Sequence, residues 1–242
     1  MRNAPAIAGR ELASILLSPT AYVTGAAFLF LAGSRFAVEF VSTRQAEIRP
    51  LAMLCYWLPL FLAPLITMRL LSEEKRSGTF EVLVTAPVTD AEVTIGKFMG
   101  AMAFYIILLL PTLSYLAAMA YYSEGPLDLG MAAAGYLGIL LAGSLYIALG
   151  LLASALAESS ILAAFLGFIF CFVPISIETL NGLPEVRADP ILNDAVNYLA
   201  LWTHYRSFLR GAIDTRDVCY FVSATAFTLY LTVKVVESRR WL

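Results

Sequence analysis

Charge is scarce in this chain. Asp, Glu, Lys and Arg make up 14% of its 242 residues, against about a quarter in soluble domains. A soluble fold of this size would have too little polar sequence to cover its core, which excludes an ordinary soluble globular protein. The net charge is −2 and there is no basic block, so nucleic-acid binding is excluded as well. Cysteine is limited to Cys55, Cys171 and Cys219, far apart and without a CxxC pair. That excludes a disulfide scaffold and gives no zinc or redox motif. The single histidine, His204, has no clustered ligands around it, so no metal site is expected. The chain has no GxxxxGK[ST] loop to cradle ATP, and no GxSxG or HExxH motif. Isolated carboxylates such as Glu178 and Asp189 do not form an acid–base pair. No enzymatic activity and no cofactor are expected for the chain itself.

What it has in excess is apolar sequence: 60% hydrophobic residues and a mean hydropathy of +0.78. A bilayer core needs about 20 apolar residues per helix. Runs free of charged residues begin at Ile15, Leu51, Phe98, Leu129, Ser159 and Val218. They place spans near 15–36, 51–70, 98–123, 129–157, 159–177 and 218–236. The fourth and fifth are split only by Glu158 with Ser159 and Ser160, which implies a tight hairpin. Alternating strands are absent, so a β-barrel is excluded. The expectation is an all-α integral membrane protein, residues 1–242 forming one transmembrane domain of six helices. The first run is read as a retained helix rather than a cleaved signal. Arg35 and Glu39 lie one turn apart near its end. Six spans put both termini on one side. Arg69, Lys75 and Arg76 beside span two and Arg239–Arg240 after span six favour the cytoplasm for that side.

Two loops are long. In the first, 71–97, Ser72 can cap a short charged turn that Gly78 stops, and Thr79 can cap a second short helix over 80–85, ahead of Pro87. Thr89 and Glu92 form a capping box opening a helix that runs into span three. Such a compact, charged element suits docking onto a protein partner. The second loop, 178–217, predicts a helical stretch over 191–211. In it Leu201, Trp202, Tyr205, Phe208 and Leu209 share helical spacing, and Arg206 and Arg210 lie one turn apart. Together with His204 this reads as an outer interfacial element that lids the bundle. Span four is rich in small residues, with Gly143, Gly150 and Ala157 two turns apart, which suits close helix packing. Pro59, Pro64 and Pro111 can kink spans two and three. No span carries a charge at its middle, which disfavours an ion-coupled carrier.

Residues 72–83, SEEKRSGTFEVL, resemble the signature of permease subunits of the type-2 ABC exporter family, in which an EEKRxGTxExLL segment links spans two and three. Ala86-Pro87-Val88 and Ile95-Gly96-Lys97-Phe98 are similar to its continuation. Arg10-Glu11-Leu12 with Ser18-Pro19 looks like the family's amphipathic N-terminal helix. The stretch from Trp202-Thr203-His204-Tyr205 through 210–214 to Asp217-Val218 resembles the branch of gliding-motility-associated permeases. The resemblance implies a six-helix domain that pairs with a second permease copy, or a related permease subunit, in the bacterial cytoplasmic (inner) membrane. It implies docking on cytoplasmic ABC ATPase subunits, which would hold ATP and Mg. The loop after span two would be the coupling helix, with Glu73, Glu74, Lys75, Arg76, Gly78, Thr79, Phe80 and Glu81 at the docking positions. The function implied is substrate export driven by the partner's ATP hydrolysis. The alternative is a mechanical or assembly component that transmits work to a periplasmic-domain accessory protein without moving a substrate.

Overall fold

The computed structural model describes residues 3–43, 48–76, 89–123, 128–180, 183 and 189–238, the side chains of Thr43 and Glu178 apart. Among the described residues 90% are helical and none lies in a strand, and six helical segments are long and apolar enough to cross a membrane.

The first helix, α1 (Ala4–Leu17), ends at Ser18, whose backbone is extended at ψ 133. Pro19 forces this, because its ring disfavours helical geometry in the residue before it. Pro19 then opens α2 (Pro19–Thr43). The first span therefore starts at Pro19 and not near residue 15, and its helix runs beyond 36. Arg35 and Glu39 do pair along it, Nη2 to Oε2 at 3.0 Å. Span two is α3 (Arg49–Thr67), with Pro59 and Pro64 inside it. A turn leads to the short α4 (Ser72–Arg76).

Span three begins with α5 (Asp90–Leu109), opened by the expected capping box. The Glu92 amide donates to Thr89 Oγ1 at 3.2 Å, and the Thr89 amide to Glu92 Oε2 at 3.3 Å. Losing such a cap costs about 1 kcal/mol. Thr89→Ala should therefore lower the thermal midpoint and speed amide exchange at 90–93; unchanged exchange there would deny the cap its role. Pro111 breaks the span into a 3₁₀ turn (Leu110–Thr112) and α6 (Leu113–Tyr122). Spans four and five are α7 (Leu129–Leu156) and α8 (Ser160–Leu180), joined by the tight hairpin that Glu158 suggested.

The helical stretch expected over 191–211 is two helices, α9 (Pro190–Leu199) and α10 (Leu201–Leu209), parted at Ala200 (ψ 113). The break exposes carbonyls that side chains take up: Tyr220 Oη donates to Leu199 O at 2.9 Å, and His204 Nε2 to Tyr198 O at 2.9 Å. α10 closes at Gly211, whose φ of +78 suits glycine, with the Ala212 amide donating back to Ser207 O. Span six is α11 (Thr215–Ser238).

α7 is the axis of the bundle. It packs against α3, α5, α8, α10 and α11. Two thirds of its apolar window is buried, 67%, against 22–28% for α2, α8 and α11, which form the periphery. Tyr56, Tyr105, Tyr146 and Tyr205 are the largest side chains of the core. One end of the bundle gathers α1, α4, the start of α5 and the α7–α8 hairpin. The opposite end gathers the starts of α3, α7 and α11 with α10.

Candidate functional site

The charged residues that the sequence concentrates after span two sit at the α1 end, and the structure sorts them by direction. Ser72 begins α4 fully buried. Its amide and that of Leu71 both donate to Ser154 Oγ near the end of α7, each at 3.1 Å. Ser72 Oγ donates to Met68 O and lies 3.3 Å from Ser160 Oγ at the start of α8. Lys75 folds onto the same hairpin. Its ammonium donates to Ala155 O and, at 3.5 Å, to Ala157 O. These carbonyls close α7, where the helix dipole favours a cation.

Glu74 turns the other way. Its Oε1 lies 2.8 Å from Lys97 Nζ on α5 and 3.6 Å from Arg10 on α1. Lys97 also holds Glu11 Oε2 at 3.3 Å, and its side chain is only 1% exposed. Two carboxylates (Glu11, Glu74) and two cations (Arg10, Lys97) thus join three elements. A buried ammonium persists only when such partners offset its lost hydration. The neighbouring glycines make this geometry reachable. A Cβ on Gly96 would stand 2.7 Å from Ile7 Cβ, and one on Gly100 would stand 2.8 Å from Glu11 Cβ. With no side chain at either, α1 lies directly on the first turns of α5.

Glu73 and Arg76 are exposed. Of the eight residues expected to dock a partner, Glu73, Glu74, Lys75 and Arg76 are thus placed, two facing inward and two outward. Gly78, Thr79, Phe80 and Glu81 lie outside the described residues, as does the short helix expected over 80–85.

At the opposite end, the residues expected to form an interfacial lid separate too. Tyr205 is buried and donates to Ala52 O at 2.7 Å, so α10 is wedged into the bundle against α3 and does not lie on its surface. Phe208 makes the wedge fit by pressing on Gly138 of α7, where a Cβ would come within 2.7 Å. His204 is buried between Asp217 Oδ1, 2.7 Å from Nδ1, and the Tyr198 carbonyl, and its ring stacks on Tyr220 at 3.9 Å. It pins α9 and α10 to the start of span six. Trp202 is half-buried, packed near Tyr56 at 5.2 Å, and Arg206 and Arg210 are exposed.

Sequence reasoning missed Glu11 and Lys97 as partners of the charged helix. Lys97 stood out only within the stretch 95–98 that resembles the family pattern, and 86 positions separate it from Glu11. The available signal was the pair Gly96 and Gly100 around Lys97, a small-xxx-small seat for another helix.

No curated protein matches the chain. The family model described as ABC-2 family transporter protein matches residues 6–236, nearly all of it. With six apolar helices around an axis and a charged, internally braced end, the chain belongs to the ABC-2 transporter family, as a multi-pass permease component of an ABC transporter.

Proposed function

We propose that this permease exports its substrate with energy from separate ABC ATPase subunits that dock on α4 and the segment after it. In this reading the α1 end and both termini face the cytoplasm of a bacterial inner membrane, and two permease copies, or two related permeases, form the pathway. ATP and Mg belong to the ATPases, and this chain contributes no cofactor site. The observation that carries the reading is the bracing of α4. Glu74 ties it to α1 and α5 through Lys97, and Ser72 and Lys75 tie it to the α7–α8 hairpin. A push on so short a helix is delivered to spans three, four and five together. A soft loop would absorb the same push.

The inward residues serve as struts, which leaves Arg76 on the outer face for a partner. Arg76→Glu should leave the thermal midpoint within the range of an ordinary surface change, about 0.5 kcal/mol. In proteoliposomes holding permease and ATPases, it should cut transport-coupled ATP hydrolysis about tenfold, the worth of one charge-assisted contact. Full coupling in that variant would overturn the docking face.

A further inference from the structure

Where α1 turns into α2, the structure encloses a pocket with about 550 Å³ of empty space, the part open to the outside included. It lies between the end of α1, the start of α2, the end of α3 and Phe104 of α5. Its polar lining carries both signs. Arg69 Nη1 reaches Ser18 Oγ at 3.5 Å, and Ser18 Oγ shares a hydrogen bond with Thr20 Oγ1 at 2.7 Å. Glu11 and Glu73 also line it, Glu73 one turn after Arg69. The apolar part of the lining includes Ile15, Leu65 and Phe104.

We propose that this pocket holds the headgroup of a phosphoethanolamine lipid from the leaflet at the α1 end. The elbow at Ser18–Pro19 is where the chain enters its first span, so the pocket sits at headgroup depth. A phosphodiester takes the guanidinium and the two hydroxyls. Its ammonium, a short chain away, takes the two carboxylates. The apolar part of the lining accepts the glycerol end of the acyl chains. A purely anionic headgroup has no ammonium to offer Glu11 and Glu73. A choline headgroup cannot donate hydrogen bonds, and it is held elsewhere by aromatic cages; here the lining has one aromatic residue, Phe104. Glu11 also binds Lys97, so an occupied pocket bears on the same cluster that holds α1 to α4.

The test is native mass spectrometry of the full chain in detergent, without ATPase, so its outcome is independent of the docking reading. Dioleoyl phosphatidylethanolamine, phosphatidylcholine and phosphatidylglycerol are added in turn. The wild type should retain the ethanolamine lipid about tenfold better than the other two, the worth of one charge-assisted hydrogen bond. Glu73→Gln should lower it to the choline level and leave the choline lipid unchanged, and Arg69→Gln should lower both. Equal retention of all three lipids by the wild type, or an unchanged preference in Glu73→Gln, overturns the proposal. Water-soluble glycerophosphoethanolamine should fail to displace the lipid; full displacement would mean the site takes the free headgroup and would overturn the lipid assignment.

Discussion

Replacing Lys97 with methionine is expected to destabilise the detergent-solubilised protein by about 3 kcal/mol, the lower end of what removing one partner from a buried ion pair costs. The lower end applies because Glu11 and Glu74 keep some contact with solvent, at 12% and 18% side-chain exposure. The methionine fills much of the lysine's volume, so the loss is electrostatic: two carboxylates remain together without their buried cation, and Arg10 near Glu74 is far more exposed. The local effect is larger than the global one. α1 is held to α5 by the glycine seat and this cluster, so amide exchange over 4–17 should rise far more than exchange in α7. Adding Glu11→Gln and Glu74→Gln to the variant should restore most of the stability, because the uncompensated charges are gone. A loss below about 1 kcal/mol in Lys97→Met, with α1 still protected, would show that the cluster does not hold the charged end together.

The second large effect is expected on α7. A Cβ at Gly143 would lie 2.2 Å from Tyr105 Cε1 and 2.6 Å from its Cζ. Tyr105 has no room to give way: it is 1% exposed, and its hydroxyl donates to Ile139 O at 3.3 Å. Gly143→Ala must therefore push α5 and α7 apart, at a cost of about 3 kcal/mol or more, at or beyond the upper end for overpacked cores. The same substitution at Gly135 meets only Ala52 Cβ at 3.8 Å, an ordinary contact. There alanine should stabilise by about 0.5 kcal/mol or be neutral, since glycine is the poorer helix residue. Thermal melts and size-exclusion profiles of the two variants check the contrast. Equal behaviour would refute the close approach at Gly143.

These residues also show what a sequence reveals and what it hides. Six spans, the hairpin at Glu158 and the Thr89–Glu92 cap were legible, because each depends on local composition or spacing. The small-residue face of span four was legible as a face. Its partners were not: Gly138 receives Phe208 of α10, Gly143 receives Tyr105 of α5, and Gly150 faces Thr67 of α3. One stripe serves three neighbours, which only the three-dimensional arrangement decides. In the charged segment, type and position pointed to an interaction surface, while the inward turn of Glu74 and Lys75 depended on Lys97 and on the end of α7. The break at Ala200 was hidden for the same reason, since Tyr220 and His204 supply the hydrogen bonds that permit it. The matched family accounts for the legible part of the motif; the inward-facing half comes from long-range contacts.

The link between α4 and Ser154 also has a consequence for biosynthesis. The amides of Leu71 and Ser72 wait for a hydroxyl that lies 83 and 82 residues further along the chain. While the ribosome is still making span three, α4 has no hairpin to close against, and Lys75 has no helix end to seal. The charged face acquires its final shape only after span four has been synthesised and inserted. If ATPase subunits dock on α4 as proposed, a half-made permease offers them no finished landing surface, and order of manufacture becomes a check on premature assembly.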